Sequence, residues 1–428
     1  MRKTITKITE ILLYLFVFLL PVQTRWLFND NMLNGSFWEY GSYSLYGFDI
    51  LLIALFILTL FISKKSNLKL NQFSLALLFF LTVCFFSLYW AIDKELAFYY
   101  FARIFLSSLI LYFVILNIKF RPLYIGVALM SAGIIQSILA IYQFMAQKIV
   151  ASKWLGMAFH APYILGDQVI EYDVGRVLRS YGTLPHPNIL AGFLGVAIII
   201  SFGVYLSTNK NWIKYFSIAS ITINSAGLFF TFSRSAWLGL FISIFFFGLL
   251  VFWIYHKREL TFIKLITALI LPFILLSIIY PQLIFTRFTV EERLEQQSIT
   301  ERADYTAQSF ELIKNYWPTG IGIGNYTLAI HDKIDDKLKT WEYQPVHNIF
   351  LLAFAELGVF GLIFYIFLTI TVLKNIDLKN NLKISFGICF IFFAIISLFD
   401  HYFWTIGSGL FIFFLLYILN ANFYQKKL

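Results

Sequence analysis

Apolar windows of about 17 to 25 residues, each long enough to cross the hydrocarbon of a bilayer, recur along almost the whole chain. About twelve of them are read near residues 8–23, 45–62, 72–91, 96–118, 122–144, 187–207, 213–231, 236–255, 261–280, 347–373, 384–400 and 403–422. In hydrocarbon every backbone N–H and C=O has to be satisfied within the segment, so such windows are helices. The expected fold is an all-α polytopic membrane protein forming a single membrane domain over 1–428.

Composition agrees. Of the 428 residues 60% are hydrophobic and only 13% charged, with a mean hydropathy of +0.77. A soluble globule carries nearer ~25% charged residues. The two cysteines, Cys84 and Cys389, both fall inside apolar windows, in neither a metal-binding nor an obvious disulfide spacing.

The loops between windows give an orientation. Alternate short loops hold Arg2, Lys3, Lys7, Lys64, Lys65, Lys69, Lys119, Arg121, Lys210, Lys214, Lys257, Arg258, Lys264, Lys374, Lys379, Lys383, Lys426 and Lys427, and few acids beyond Glu10, Glu259 and Asp377. Lysine and arginine concentrate on the cytoplasmic side, which predicts an even helix count with both termini cytoplasmic. The net charge of +10 follows from this bias, and no nucleic-acid partner is implied. Arg2 and Lys3 before an apolar stretch resemble a signal peptide, but Pro21-Val22-Gln23-Thr24 offers no small-residue cleavage site, so the first window is read as an uncleaved span.

Three connections are long, at 24–44, 145–186 and 281–346, and all three fall on the extracytoplasmic side of this topology. Chemistry that needs polar residues is therefore expected there. In the largest, Thr300-Glu301 followed by spaced apolar residues to Ile313 predicts an amphipathic helix of about four turns, stopped by Trp317-Pro318, with Arg302 near its start. Gly320, Gly322 and Gly324 then make a turn before Asn325-Tyr326.

Five of the six histidines, His160, His186, His331, His347 and His401, fall on or near this outer face, and His256 on the other. None pairs with another at helical ligand spacing, so no metal site is expected; Glu171-Tyr172-Asp173 reads as a solvated acidic pair. His347 stands where the polar loop ends and the apolar run from Ile349 begins. There it either caps the helix or transfers protons at the membrane boundary. Arg234, in Thr231-Phe232-Ser233-Arg234-Ser235-Ala236-Trp237 at a helix mouth, either snorkels or binds an anion, and Arg103 poses the same choice with a lean to snorkelling. His186, between two prolines, reads mainly as a turn former. Asp400-His401 reads as an outer turn in an aromatic belt, or alternatively as the lining of an entrance from the outer face. Glu356, nine residues past His347, points to the opposite side of that helix and is expected to meet a cation or the interface. Gly358 and Gly361 are expected to allow close helix packing.

The segments 231–237, 317–326 and His347-Asn348-Ile349-Phe350-Leu351 with Glu356-Leu357-Gly358, joined by Gly182-Thr183-Leu184-Pro185-His186-Pro187-Asn188, resemble the O-antigen ligase and polymerase superfamily over a core of roughly 180–410. The resemblance implies a membrane-embedded glycosyltransferase of GT-C-like architecture in the bacterial inner (cytoplasmic) membrane. It implies an inverting, metal-independent and cofactor-free transfer of a glycan from undecaprenyl pyrophosphate at the extracytoplasmic face, in lipopolysaccharide or surface polysaccharide biosynthesis. The acceptor would be a hydroxyl of lipid A core or of another glycan. Carried over by position, His347 is the base, Arg234 and Arg302 hold the donor pyrophosphate, and Arg103, His186, Asn348 and His401 are accessory candidates. The alternatives are a polysaccharide polymerase and, from another class, a flippase, which should show ionisable residues at mid-membrane and related halves.

Overall fold

The computed structural model describes residues 2–63, 71–172, 175–255, 259–289 and 292–421. Lys64, Lys65, Lys69, Asp173, His256, Lys257, Arg258, Lys426 and Lys427, used above for topology and motif readings, lie outside the described residues. The helices are α1 (Arg2–Leu19), α2 (Gly47–Ile62), α3 (Gln72–Ser87), α4 (Lys94–Phe105), α5 (Leu111–Asn117), α6 (Pro122–Ala146), α7 (Pro187–Ser207), α8 (Asn211–Phe229), α9 (Arg234–Tyr255), α10 (Glu259–Ile279), α11 (Pro281–Thr289), α12 (Arg293–Tyr316), α13 (Tyr326–Lys333), α14 (Ile349–Lys374), α15 (Asn381–Ser397), α16 (Tyr402–Thr405) and α17 (Gly407–Asn420). A π-turn at Leu106–Ile110 joins α4 to α5.

Helix therefore occupies every apolar window. Among the described residues six stretches are long and apolar enough to cross a membrane: Lys94–Asn117, Pro122–Ala146, Pro187–Ser207, Arg234–Trp253, Leu260–Ile279 and Ile349–Lys374. Four more apolar helices, α2, α3, α15 and α17, are shorter. The protein is a helical membrane protein.

α7 is the axis of the bundle. It is apolar on every side and packs against α6, α8, α9 and α15. Gly192 lets it approach α16, since a Cβ there would lie 2.0 Å from the Tyr402 hydroxyl. A buried polar seam crosses the same region: Ser137 donates to Asn224 Oδ1, Asn224 Nδ2 to Ser220, and Ser220 meets Ser201. Each buried bond of this kind is worth about 0.5–1.5 kcal/mol net, and each also fixes helix register.

The long connections are more ordered than the expected all-α reading allows. β1 (Arg25–Asn29) pairs with β4 (Tyr43–Tyr46), β2 (Met32–Leu33) with β3 (Ser36–Phe37), and β5 (Val169–Tyr172) with β6 (Gly175–Leu178), each pair antiparallel. The β2–β3 turn is Asn34-Gly35 with both residues at positive φ, the pairing that a tight hairpin demands. In the last connection α12 begins at Arg293, seven residues before the predicted start at Thr300, so Arg302 sits in mid-helix. Trp317 ends it, as expected.

Gly320, Gly322 and Gly324 all take positive φ and run against α14, with Gly320 N donating to Tyr316 O, Ile321 N to Ala355 O and Gly322 N to Glu356 O. α14 breaks to receive them. Gly358, expected to be a packing glycine, adopts φ 68° within α14, and a Cβ there would lie 2.5 Å from the Pro318 carbonyl oxygen.

Candidate functional site

Two glutamines of α6 shape the segment that leads into α7. Gln143 Oε1 accepts from the amides of Tyr181 and Gly182, and Gln136 Oε1 from Thr183 N, while Thr183 Oγ1 donates to Pro21 O. The moulded turn delivers His186 as N-cap of α7, its Nδ1 accepting from Asn188 N at 3.0 Å. Asn188 Nδ2 donates to Asp400 Oδ2 at 2.9 Å, and the other Asp400 oxygen accepts from His401 N. His401 lies edge-on to His347 at 5.1 Å between ring centroids, and Tyr40 from the first connection covers its other side at 6.0 Å.

Three imidazoles and one carboxylate thus meet beneath the loops. The structure corrects the reading of Asp400-His401 as an interfacial turn: both are buried. His186 forms a turn as expected and joins the cluster as well. His347 does not cap α14. Asn348 does, its Oδ1 accepting from Phe350 N and Leu351 N, so the imidazole is not taken up in capping. His347 Nδ1 is buried with no hydrogen-bond partner among the described residues. One face of the ring stacks on Tyr305 of α12 at 5.7 Å and 15°.

Burial pushes His347 below the ordinary imidazole value, with Asp400 opposing and Arg302 adding to the shift. Burial takes His186 and His401 down to about 3. At neutral pH the three rings are neutral and able to accept protons. Burial raises the Asp400 carboxyl, but the imidazoles as they gain charge, together with the Asn188 amide, outweigh it and hold it below its ordinary value. It is the anion of the group.

Beside this cluster lies a second, built on cations. Arg234 opens α9, and Arg287 on α11 is 8% exposed. Glu295, in the first turn of α12, pairs with both: its Oε2 lies 3.0 Å from Arg234 Nη2 and its Oε1 accepts from Arg287 Nη1. Backbone carbonyls hold the two guanidiniums independently. Arg234 Nη1 donates to Arg287 O at 3.0 Å, and Arg287 Nη2 to Phe232 O at 2.9 Å. Phe232 has φ 49°, a strained left-handed turn that this bond and the packing of its buried ring over-determine.

Arg179, 5% exposed, stands between the clusters and meets only neutral acceptors among the described residues: Thr231 O at 2.8 Å, Asn188 Oδ1 at 2.7 Å and the more distant Gln168 Oε1. Burial and then Arg287 draw it down to about 9, still a cation at neutral pH. Arg302 bears electrostatically on Arg179, Arg287 and His347 at once. Arg234 and Arg287 therefore share one carboxylate, Glu295, and Arg179 and Arg302 add their charge beside them. Such an excess of positive charge in a partly buried place can hold a multiply charged anion.

The structure thus brings together Arg234, Arg302, His347, His186 and His401, with Asn348 at their edge. Arg103 is not among them. It is neither a snorkel nor a site residue: its guanidinium is buried, pairs with Asp49 at 3.0 Å and lies over the Tyr46 ring. Among the described residues Glu356 meets no cation, contrary to expectation, and its Oε2 accepts from Trp404 Nε1 at 2.8 Å. Glu171 pairs with Arg293. Among the described residues no group of three His, Cys, Asp or Glu side chains could hold a metal ion.

Arg179, Arg287, Glu295, Tyr40 and Tyr305 were not singled out from the sequence. Each is an ordinary loop or surface residue until the fold turns it inward. Arg179, three residues ahead of the segment beginning at Gly182, and Tyr305, three residues beyond Arg302 in the predicted helix, stood near motifs.

Residues 219–366 match the O-antigen ligase family model. The resemblance read from the motifs is thereby borne out, and the matched stretch contains Arg234, Arg287, Glu295, Arg302, Tyr305, His347 and Glu356. It implies a glycan ligase or transferase with a lipid-linked glycan and a glycan acceptor as substrates. The helices that complete the site, α7 with His186 and Asn188 and α15–α16 with Asp400 and His401, lie outside it. No curated protein matches the chain.

Proposed function

We propose that this protein is an inverting, metal-independent glycosyltransferase of the O-antigen ligase type, which moves a glycan from undecaprenyl pyrophosphate to an acceptor hydroxyl. The observation that carries the reading is the pairing of two unlike clusters: a group of four arginines in which only Arg234 and Arg287 are paired, both with Glu295, and a buried neutral histidine beside Asp400. The first suits a pyrophosphate, the second a hydroxyl that must lose a proton.

In this reading His347 accepts the acceptor's proton as the hydroxyl oxygen attacks the anomeric carbon from the face opposite the leaving group. The C–O bond to the pyrophosphate breaks, its electron pair leaves with the phosphate, and undecaprenyl pyrophosphate is released with the anomeric configuration inverted. Charge grows on the leaving oxygen, so fixed guanidiniums favour the transition state over the ground state. General-base help of this kind contributes typically ~100 to 10,000-fold. The developing imidazolium is stabilised by Asp400.

The apolar groove between α9 and α10, about 840 Å³ and lined by Trp237, Phe241, Phe245, Phe262, Ile266 and Phe273, starts at the helix that Arg234 opens. We assign it to the prenyl chain. The twelve apolar helical regions are taken as twelve spans of a GT-C-like multi-pass protein of the bacterial inner membrane. Both termini are then cytoplasmic, and the connections 145–186 and 281–346 are extracytoplasmic with the site.

The test is incubation of the reconstituted protein with an undecaprenyl-pyrophosphate glycan and a panel of acceptors, lipid A core and a second lipid-linked glycan among them, followed by mass analysis. Transfer that is lost in His347→Ala supports the reading, and the preferred acceptor separates ligase from polymerase. Transfer at the wild-type rate by His347→Ala would sink it.

A further inference from the structure

The carboxylate of Glu295 occupies the position that an anionic ligand of the arginine cluster would need. It bridges Arg234 and Arg287 from the first turn of α12, where the positive end of the helix dipole favours an acid. It is nevertheless under-used. Oε2 sits 3.0 Å from Arg234 Nη2 but lacks hydrogen-bond geometry, and it has no other partner among the described residues.

The two arginines do not depend on it for their place. Arg287 is held by Phe232 O through both Nε and Nη2, and Arg234 by Arg287 O. The cationic cradle is thus built on backbone carbonyls, and the carboxylate is not needed to hold it. Seven residues further along α12, at ~100° per residue, Arg302 lies on nearly the same helix face as Glu295. A shift of α12 that withdraws the acid would move that cation too.

We infer that Glu295 is the resident anion of the arginine cluster: it neutralises Arg234 and Arg287 while the site is empty and gives them up to a ligand that carries two linked phosphates. This rests on the assignment of the cluster to a pyrophosphate. One carboxylate carries a single charge and satisfies the two guanidiniums incompletely. A pyrophosphate brings at least two charges and acceptors for both cations, with Arg179 and Arg302 close by, so it outcompetes the acid. A single phosphate gains less from displacing it. Glu295 therefore acts as a specificity-determining residue that favours pyrophosphate-linked over monophosphate-linked ligands, and its return helps to expel the product.

The experiment measures binding of inorganic pyrophosphate and inorganic phosphate to the full-length protein in nanodiscs, by calorimetry and by thermal shift. Glu295→Gln removes the competing charge and keeps the shape. It is expected to bind pyrophosphate roughly tenfold tighter than wild type, the worth of about one charged hydrogen bond no longer surrendered. Its preference for pyrophosphate over phosphate should narrow, and its unliganded Tm should fall while its rise on adding pyrophosphate grows. Glu295→Asp, which keeps the charge but cannot reach both arginines, should fall between the two, and this variant decides the matter if the amide does not fold. Equal or weaker pyrophosphate binding in Glu295→Gln, or wild-type binding in Glu295→Asp, overturns the exchange. Arg234→Gln and Arg302→Gln separate the two levels of the argument. If they lose pyrophosphate while the Glu295 variants gain nothing, only the exchange fails. If they bind it like wild type, the pyrophosphate assignment fails with it.

Discussion

The imidazole of His347 lies flat on the phenol ring of Tyr305, with 5.7 Å between centroids and 15° between planes. Tyr305 is three residues beyond Arg302 on α12, so one helix presents both a cation and the platform of the candidate base. The start of α13 braces it, since Tyr326 donates its hydroxyl to Tyr305 O at 3.2 Å. An aromatic stack is worth about 0.5–1.5 kcal/mol. Tyr305→Ala should therefore lower kcat roughly tenfold, with KM for the donor little changed, whereas Tyr305→Phe keeps the ring and should stay near wild type. Steady-state kinetics of both variants checks this. Equal losses in the two would mean that the hydroxyl, rather than the stack, is at work.

The charge around His347 fixes the sign of its pH response. Its folded pKa lies below the ordinary value because burial disfavours the imidazolium. The base is then active above that depressed pKa, and the rate falls as pH drops through it. The acid limb of kcat/KM should lie below pH ~6.5. Asp400 is the group that holds the value up, so Asp400→Asn should move the limb to still lower pH while reducing the maximal rate. Stability follows the same sign for His186 and His401, both near 3 when folded. Between there and ~6.5 the unfolded chain binds more protons, so Tm should fall as pH is lowered through that window.

Arg179 links the two clusters through geometry that only a guanidinium supplies. Its Nε reaches Thr231 O, two residues from Ser233 and the start of α9, and its Nη2 reaches Asn188, which in turn holds Asp400. Arg179→Lys preserves the charge but not the fork. It should lose most of the transfer rate, by ~10-fold or more for the equivalent of one or two charged hydrogen bonds, and donor binding should suffer less. Comparing kcat and donor affinity in Lys and Gln variants separates the fork from the charge. If the lysine variant keeps full activity, the arginine supplies charge alone.

The helical windows were legible because hydrocarbon leaves helix as the only local solution, and 3.6-fold periodicity is not needed to see them. Short motifs around Arg234, Arg302 and His347 were legible too, since an arginine at a helix mouth and a histidine at a water boundary are costly placements. What could not be read was tertiary. Arg287 and Glu295 look like surface residues of a polar loop until α11 and α12 fold back on α9. Arg103 was misjudged because its partner Asp49 lies on α2, 54 positions earlier. Asp400 and His401 were misjudged because nothing local announces that a turn between apolar helices is covered by Tyr40 and by the turn ahead of α7.

Glu356 offers a test of how the glycine turn is held against the site. Its carboxylate is buried within α14, two residues before the left-handed Gly358, and accepts from Trp404 Nε1 three residues after His401. Its own carbonyl accepts from Gly322 N, so one residue grips both the glycine turn and α16. Trp404→Phe removes a donor from a buried carboxylate and leaves that oxygen unsatisfied, which costs ~1–3 kcal/mol and more where the group is charged. Glu356→Gln retains an acceptor for the indole and should be milder. The double variant Trp404→Phe with Glu356→Leu should recover part of the loss, because neither polar group is then stranded. Thermal unfolding of Trp404→Phe, Glu356→Leu and the double variant measures the coupling. Additive losses would mean that the bond contributes nothing of its own. The single Trp404→Phe should also slow transfer, since α16 begins one residue after His401.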